Sequence, residues 1–150
     1  MKSFLSPSRS ASFDLIRDLA RSFRIFQERS MANSSLTFTQ FVILDFACLY
    51  NPLSLRELHG LLGVQKSTTT RLVNPLIEKQ FLEKSKSADD GRKYELLITE
   101  PGLEIYQKTW TDLSQAIEIF YSQIPEKEKL RIGTSMVMIN TAFVKSSGLI

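Results

Sequence analysis

The 150-residue chain contains one cysteine, one histidine and one tryptophan. A lone cysteine makes no internal disulfide, and Cys48 with His59 falls short of a zinc ligand set unless carboxylates or a second chain complete it. The same scarcity, without a G-x-S-x-G elbow or a Walker loop, leaves no nucleophile–base pair. Enzymatic catalysis is therefore not expected, and no cofactor or metal is called for. Six glycines and five prolines are too few for a collagen-like or low-complexity chain. No apolar run approaches the ~18 residues of a membrane helix. Met1–Ser12 carries Lys2 and Arg9 but no apolar stretch of signal-peptide length. These absences point to a cytoplasmic protein with no membrane partner.

What remains is ordinary for a soluble domain: 43% hydrophobic and 23% charged residues, with a net charge of +3. Residues 1–11, Ser-rich with Pro7, read as a flexible N-terminal arm. Helical spacing of Phe13, Ile16, Ala20 and Phe23 predicts a first helix to about Met31, with Ser12 as its cap. Thr37 and Gln40 form a capping box, with Leu36 and Phe41 as hydrophobic staple, and open a second helix to about Tyr50. Its inner face is expected to be Phe41, Leu44, Ala47 and Cys48. Ser54 and Glu57 repeat the box for a third helix, stapled by Leu53 and Leu58 and closed by Gly63. Leu58, Leu61 and Leu62 should face inward.

A fourth helix, from Gln65 or Lys66 to about Lys79, buries Thr69, Leu72, Val73, Leu76 and Ile77. Pro75 inside it removes a backbone donor, and a bend or local strain is expected there. Two strand-like runs, Phe81–Lys86 and Lys93–Ile98, flank an Asp-Gly turn and predict a β-hairpin. Thr99 caps a fifth helix, and Pro125 opens a sixth. The fold class is therefore mainly α with a small β-hairpin wing. Residues 36–98 form a winged helix-turn-helix lobe, and 12–35 with 99–150 form a helical dimerisation region from both chain ends.

The fourth helix is the chemically informative element. Its outward positions are Gln65, Lys66, Ser67, Thr68, Thr70, Arg71 and Asn74: short hydroxyls, amides and cations suited to a major groove. Between Gln65 and Lys93 stand seven basic residues and four acidic ones, an excess equal to the net charge of the whole chain. Such a patch supplies salt-dependent phosphate affinity, and Lys66, Lys84, Lys86 and Lys93 are its expected phosphate contacts. Taken singly, the Thr-rich helix is equally a solvated face and the Lys-rich hairpin a protected sheet edge. The broad apolar stripes at the chain ends suggest a homodimer interface, with a compact monomer core as the alternative.

In order and spacing, Leu36–Phe41, Ser54–Leu58, Leu62–Val73, the Asp90-Gly91-Arg92 tip and Leu97–Gly102 together resemble the MarR family of winged-helix regulators. The resemblance spans about Phe13 to Phe143. It implies a homodimer on a pseudo-palindromic site in double-stranded DNA, acting as a transcriptional regulator, in most cases a repressor. It further implies that Arg92 reaches the minor groove, that Asp90 fixes the wing, and that a small aromatic effector releases the DNA. Phe23, Phe26, Phe46 and Tyr50 are the expected lining of that effector site. Three positions depart from the family pattern: Gln80 stands where glycine is usual, Gly91 where a basic residue is common, and Pro75 is found in some members only. A winged-helix module that binds protein rather than DNA is the alternative function. Cys48 is expected as a small core residue rather than a redox thiol, and His59 as a surface or backbone contact rather than a sensor.

Overall fold

The computed structural model describes residues 11–87, 93–146 and 148. Six helices and three short strands follow in the order α1 Ala11–Ser30, α2 Phe38–Leu49, β1 Leu53–Ser54, α3 Leu55–Leu62, α4 Lys66–Glu78, β2 Leu82–Lys86, β3 Tyr94–Ile98, α5 Glu100–Ser122 and α6 Glu126–Ser146. This is the expected winged helix-turn-helix with helices from both chain ends.

The local chemistry of the helix starts is as the sequence indicates. Thr37 Oγ1 accepts from the Gln40 amide at 3.2 Å, and the Gln40 side chain accepts from the Thr37 amide at 3.0 Å. Ser54 and Glu57 make the same reciprocal pair at 3.1 and 3.0 Å. The Ser54 hydroxyl, and then the Ser54 amide, stabilise Glu57 as a carboxylate and hold it below its usual pKa range. All four staple residues, Leu36, Phe41, Leu53 and Leu58, are buried. Gly63 closes α3 in the left-handed region, at φ 61° and ψ 28°.

Several expectations are corrected. The first helix starts at Ala11, ahead of the expected cap Ser12, and takes up the last residue of the expected arm; the rest of the arm lies outside the described residues. The hairpin is part of a three-stranded antiparallel sheet of order β1-β3-β2. Leu53 pairs with Leu96 and Ser54 with Glu95, so the residues before α3 serve as a strand as well as a cap. Two residues are too few to show an alternating pattern, and the strand was hidden for that reason. Ile43 is fully buried although absent from the expected inner face of α2, whereas Cys48 is only half-buried. Leu61 is exposed, because α3 is short and buries only the edge that carries Leu58. The fourth helix runs through Pro75 without interruption, and the Lys79 amide reaches the Pro75 carbonyl at 3.1 Å.

Leu44, Leu53, Leu58, Val73, Leu76, Leu82 and Leu96 form the centre of the lobe core. Outside it the helices are open. The apolar residues Phe13, Leu15, Ile16, Leu19 and Phe23 of α1 are exposed, and among the described residues of α6 none is buried. Leu113 and Thr109 are the points at which α5 enters the core. Two stacked rings widen that seam: Tyr106 and Trp110 lie nearly parallel to Phe41, at 5.4 and 6.2 Å between centroids.

The passage from α4 into the sheet is closely packed. Gln80 adopts φ 60°, the left-handed conformation that the usual glycine would take without strain. The Thr99 hydroxyl donates to the Gln80 carbonyl at 2.6 Å and accepts from the Gly102 amide at 3.1 Å. A Cβ on Gly102 would stand 2.0 Å from the Phe81 carbonyl oxygen, so no side chain fits there. Replacing Gln80 by Gly should raise stability by about 0.5–1 kcal/mol, because relief of left-handed strain exceeds the added freedom of the unfolded chain. Gly102→Ala should cost about 1–3 kcal/mol through overpacking. Urea unfolding followed by circular dichroism measures both, and equal midpoints for the two variants would contradict the assignment.

Candidate nucleic-acid interface

On α4 the division into two sides is clear. Thr69, Val73 and Leu76 are buried, Leu72 and Ile77 are half-buried, and Gln65, Lys66, Ser67, Thr70, Arg71 and Asn74 are exposed. Thr68 is half-buried, at the margin of the exposed set. The helix thus presents one polar, cationic ridge while its opposite side holds it to the core. The hydroxyls of Thr69 and Thr70 turn back on the helix, donating to the Gln65 and Lys66 carbonyls at 3.4 and 3.2 Å. Thr70 therefore presents lone pairs outward, and it must rotate to donate to a ligand.

Register decides where the wing charges point. Leu82 faces Ile98, Lys84 faces Leu96 and Lys86 faces Tyr94. Directly paired residues share a side of the sheet, so Lys84 and Lys86 lie with Tyr94 on one side, and Glu83 and Glu95 lie on the other. Lys84 and Lys86 thus share their side with the buried Leu82 and Leu96, and Glu83 and Glu95 stand opposite, a division that the sum of charges along the sequence conceals. Lys84 Nζ sits 4.3 Å from the centroid of the Tyr94 ring, a cation–π contact that holds its head in place. Lys93 is exposed at the start of β3, and its carbonyl accepts from the Ser87 amide at 2.9 Å. The expected wing-tip residues Asp90 and Arg92 lie outside the described residues.

Two residues not foreseen as part of this surface stand beside it. Arg56 and His59, three apart on α3, line a cleft of about 510 Å³ with Leu55 on one side and Lys66, Thr69 and Thr70 of α4 on the other. Arg56 also lines the adjoining hollow toward Lys93 and Tyr94. The i,i+3 spacing was the available signal, but a lone histidine beside an arginine has no intrinsic meaning until the angle between α3 and α4 is known.

The four aromatics expected to line an effector cavity are divided among separate contacts. Phe23 meets Phe38 edge-on at 6.2 Å, Phe26 meets Phe120 at 6.2 Å, and Phe46 meets Tyr50 at 6.5 Å. Only Phe26 borders the groove between α1 and α5, a space of about 420 Å³ that also touches Arg29, Ala116 and Ile119. The family resemblance groups these rings but does not say which neighbour each meets in this chain.

Cys48 lies on α2 near a small polar cluster. Tyr106 donates its hydroxyl to Asp45 at 2.8 Å, bridging α5 to α2. Burial and the Asp45 charge push the Cys48 thiol above its ordinary value. Burial, then the hydrogen bond to Asp45, does the same to the Tyr106 phenol, driving its pKa far up. Among the described residues there is no group of three His, Cys, Asp or Glu able to hold a metal ion, and no helix long and apolar enough to cross a membrane.

A family model described as the MarR family matches residues 36–94. The HTH-type transcriptional regulator BilQ of Clostridioides difficile is 25% identical over 91 residues, 61% of this chain and 62% of that regulator. The chain thus spans less than two thirds of the length of this curated relative. A MarR protein from Peptoclostridium difficile superposes with a TM-score of 0.80 at 23% identity, covering 97% of this chain and 95% of that one. The S. aureus MepR–DNA complex gives 0.77 at 15% identity, covering 90% and 99%. The PcaV regulator of Streptomyces coelicolor in complex with its natural ligand gives 0.77 at 18%, covering 92% and 99%. At these identities the structural likenesses establish the fold.

Because both pKa values are raised, their linkage has one sign. The neutral Tyr106 phenol contributes stability that is complete below the unfolded tyrosine value of about 10 and is lost as pH rises above it. Stability should therefore fall in alkaline solution more steeply for the native chain than for Tyr106→Phe. Cys48 should react with a thiol reagent at pH 7 far more slowly than a free cysteine, and a native rate equal to that of the urea-unfolded chain would contradict its placement.

Proposed function

Because this chain, through residues 36–94, belongs to the MarR family, we propose that it is a DNA-binding transcriptional regulator acting as a homodimer. One observation carries this function: α4 buries Thr69, Val73 and Leu76 and leaves a cationic, hydroxyl-rich ridge bare. A helix so presented matches the width of a major groove, and short side chains permit close approach of the backbone. Ser67, Thr68, Thr70, Arg71, Asn74 and Gln65 are the base-edge readers in this proposal. Lys66, Lys84, Lys86 and Lys93 contact phosphates, and Arg92, oriented by Asp90, enters the minor groove. Lys84 must leave the Tyr94 ring, or carry it along, to make its contact.

The dimer is proposed from exposed apolar area. Leu130 of α6 is 84% exposed, and Val137 and Met138 are each 67% exposed, on a helix none of whose residues is fully buried. Paired with the open faces of α1 and α5, such a surface calls for a second copy. The domain assignment follows: 12–35 and 99–150 for pairing, 36–98 for DNA. Repression is the proposed sign of regulation, through occupation of promoter DNA. Release is proposed through a small aromatic ligand in the groove between α1 and α5, where Arg29 offers a cation beside the Phe26 and Phe120 rings.

Selection of bound sequences from random duplex DNA with the purified protein should yield a pseudo-palindrome with half-sites about one helical turn apart. Arg71→Ala should then lose about 1–3 kcal/mol on that site and relax preference at one base pair per half-site. A native protein that sediments as single subunits and leaves every duplex unbound at low salt instead matches a winged-helix module for protein partners, and ends the proposal.

A further inference from the structure

We propose that two hydrogen bonds on one face of α5, Tyr106 to Asp45 and Thr109 to Ser34, are positioning contacts that fix which separation of DNA half-sites the dimer accepts; this rests on the homodimeric, DNA-binding function proposed above. The residues of α5 that meet the lobe form one stripe. Gly102, Thr109 and Leu113 are its buried residues, and Tyr106 stands among them at helical spacing. Gly102 lies against the Phe81 carbonyl at the root of the wing. The Tyr106 hydroxyl donates to Asp45 of α2 at 2.8 Å, and its ring lies on Phe41. The Thr109 and Ser34 hydroxyls are bonded at 2.9 Å, so α5 also holds the segment between α1 and α2. The Ser34 hydroxyl oxygen accepts from the Leu36 amide at 3.1 Å as well. The adjoining Ser35 carbonyl accepts from Nζ of Lys79, the C-cap of α4, at 3.3 Å. The candidate reading helix is therefore tied to α5 by directional bonds and not by apolar packing alone.

Past Leu113 the same helix changes character. It runs unbroken to Ser122, but Ile119, Phe120 and Tyr121 are exposed. One helix thus serves two bodies: its first half is bonded to the lobe, and its second half is bare for the partner copy. The attitude of the lobe on α5 is carried to the dimer face by a stiff rod. From Tyr106 to Tyr121 that rod is about 22 Å long at a rise of about 1.5 Å per residue. A tilt of about 9° at Tyr106 displaces the far end by about 3.4 Å, the length of one base-pair step. Apolar burial is non-directional and opposes such a tilt weakly, whereas a hydrogen bond weakens steeply as its geometry bends. The bond to the Asp45 carboxylate is charge-assisted, and bonds of that kind are worth about tenfold or more in an equilibrium constant. Without these bonds the lobe is free to follow half-sites set one base pair closer or farther apart.

The test is selection from random duplexes of about 40 base pairs, long enough for two half-sites, with each enriched pool read for half-site consensus and half-site separation. The native protein should enrich paired half-sites at one separation, and a change of one base pair should cost it about tenfold in affinity. Tyr106→Phe combined with Thr109→Val should accept separations one base pair shorter and longer with a loss of only about threefold, and with the consensus unchanged. Tyr106→Phe alone, which leaves the buried Thr109 in place, should broaden the separation to a smaller degree. Asp45→Asn keeps an oxygen that accepts from the Tyr106 hydroxyl and should keep the single separation. Thr111→Val, which removes a hydroxyl bonded to the Gln107 carbonyl at 3.0 Å on the same helix, should keep it too. A fold that is merely weakened lowers the bound fraction and leaves the separation in place, and circular dichroism melting sets a selection temperature at which every variant used is folded. A single separation retained by both Tyr106 variants, a consensus altered at fixed separation, or equal broadening by Thr111→Val overturns the positioning role and leaves the DNA-binding function standing. Isolated half-sites enriched by the native protein remove the dimer and the positioning role with it. No enrichment by the native protein removes the DNA-binding function as well.

Discussion

The Thr99 hydroxyl ties three elements together at one point. It receives the Gly102 amide of α5 and gives its own proton to the Gln80 carbonyl at the exit of α4, while the Thr99 amide donates to the Phe81 carbonyl at 3.2 Å. The bare Cα of Gly102 lets the first turn of α5 approach the Phe81 carbonyl to a distance no side chain would permit. The angle between α4 and the wing, and that between the lobe and the long fifth helix, both pass through this junction. The strain of left-handed Gln80 is accepted at the same point, held by the Thr99 bond from one side and by the Phe81 amide's bond to the Leu76 carbonyl, at 2.8 Å, from the other.

Above the junction the molecule has two kinds of apolar surface. One is finished: Leu44, Leu53, Leu58, Val73, Leu76, Leu82 and Leu96 close on each other and exclude water. The other is unfinished, along α1, the outer face of α5 and all of α6. The two meet at the α2–α5 seam, where the Phe41 ring stacks on Tyr106 and Trp110 and where Asp45 and Ser34 hydrogen-bond Tyr106 and Thr109. Directional bonds at that seam fix one register between the helices, which apolar packing alone specifies less sharply. If the open helices pair as proposed, the spacing of two α4 ridges depends on this seam in each subunit.

Much of the architecture was legible because it rests on short-range chemistry. Both capping boxes, both staples, Gly63 and the Thr99 cap involve residues within a few positions of each other, and each appears in the structure as the sequence indicates. The strained Gln80 was likewise legible, as a residue standing where glycine is usual. Less was legible of the candidate site. The α4 ridge follows from helical periodicity, but the Arg56–His59 cleft requires the angle between two helices. The Lys84–Tyr94 contact requires the strand register, and β1 requires a partner strand more than forty positions away. The four rings Phe23, Phe26, Phe46 and Tyr50, grouped by the resemblance, meet different neighbours because what lies against a ring depends on how whole helices pack.

By itself the sequence determined where the capped helices α2, α3 and α5 begin, which side of α4 is polar, and that the excess positive charge gathers between Gln65 and Lys93. These depend on hydrogen bonds and burial patterns that repeat within one or two turns of the chain. Only the tertiary structure decided that Lys84 and Lys86 share one side of the wing and Glu83 and Glu95 the other, that α3 adds an arginine and a histidine with an unpartnered Nδ1 beside α4, and that no residue of α6 is fully buried. Those outcomes come from contacts between distant segments, where the position of a side chain is set by the packing of whole elements and not by its neighbours in sequence.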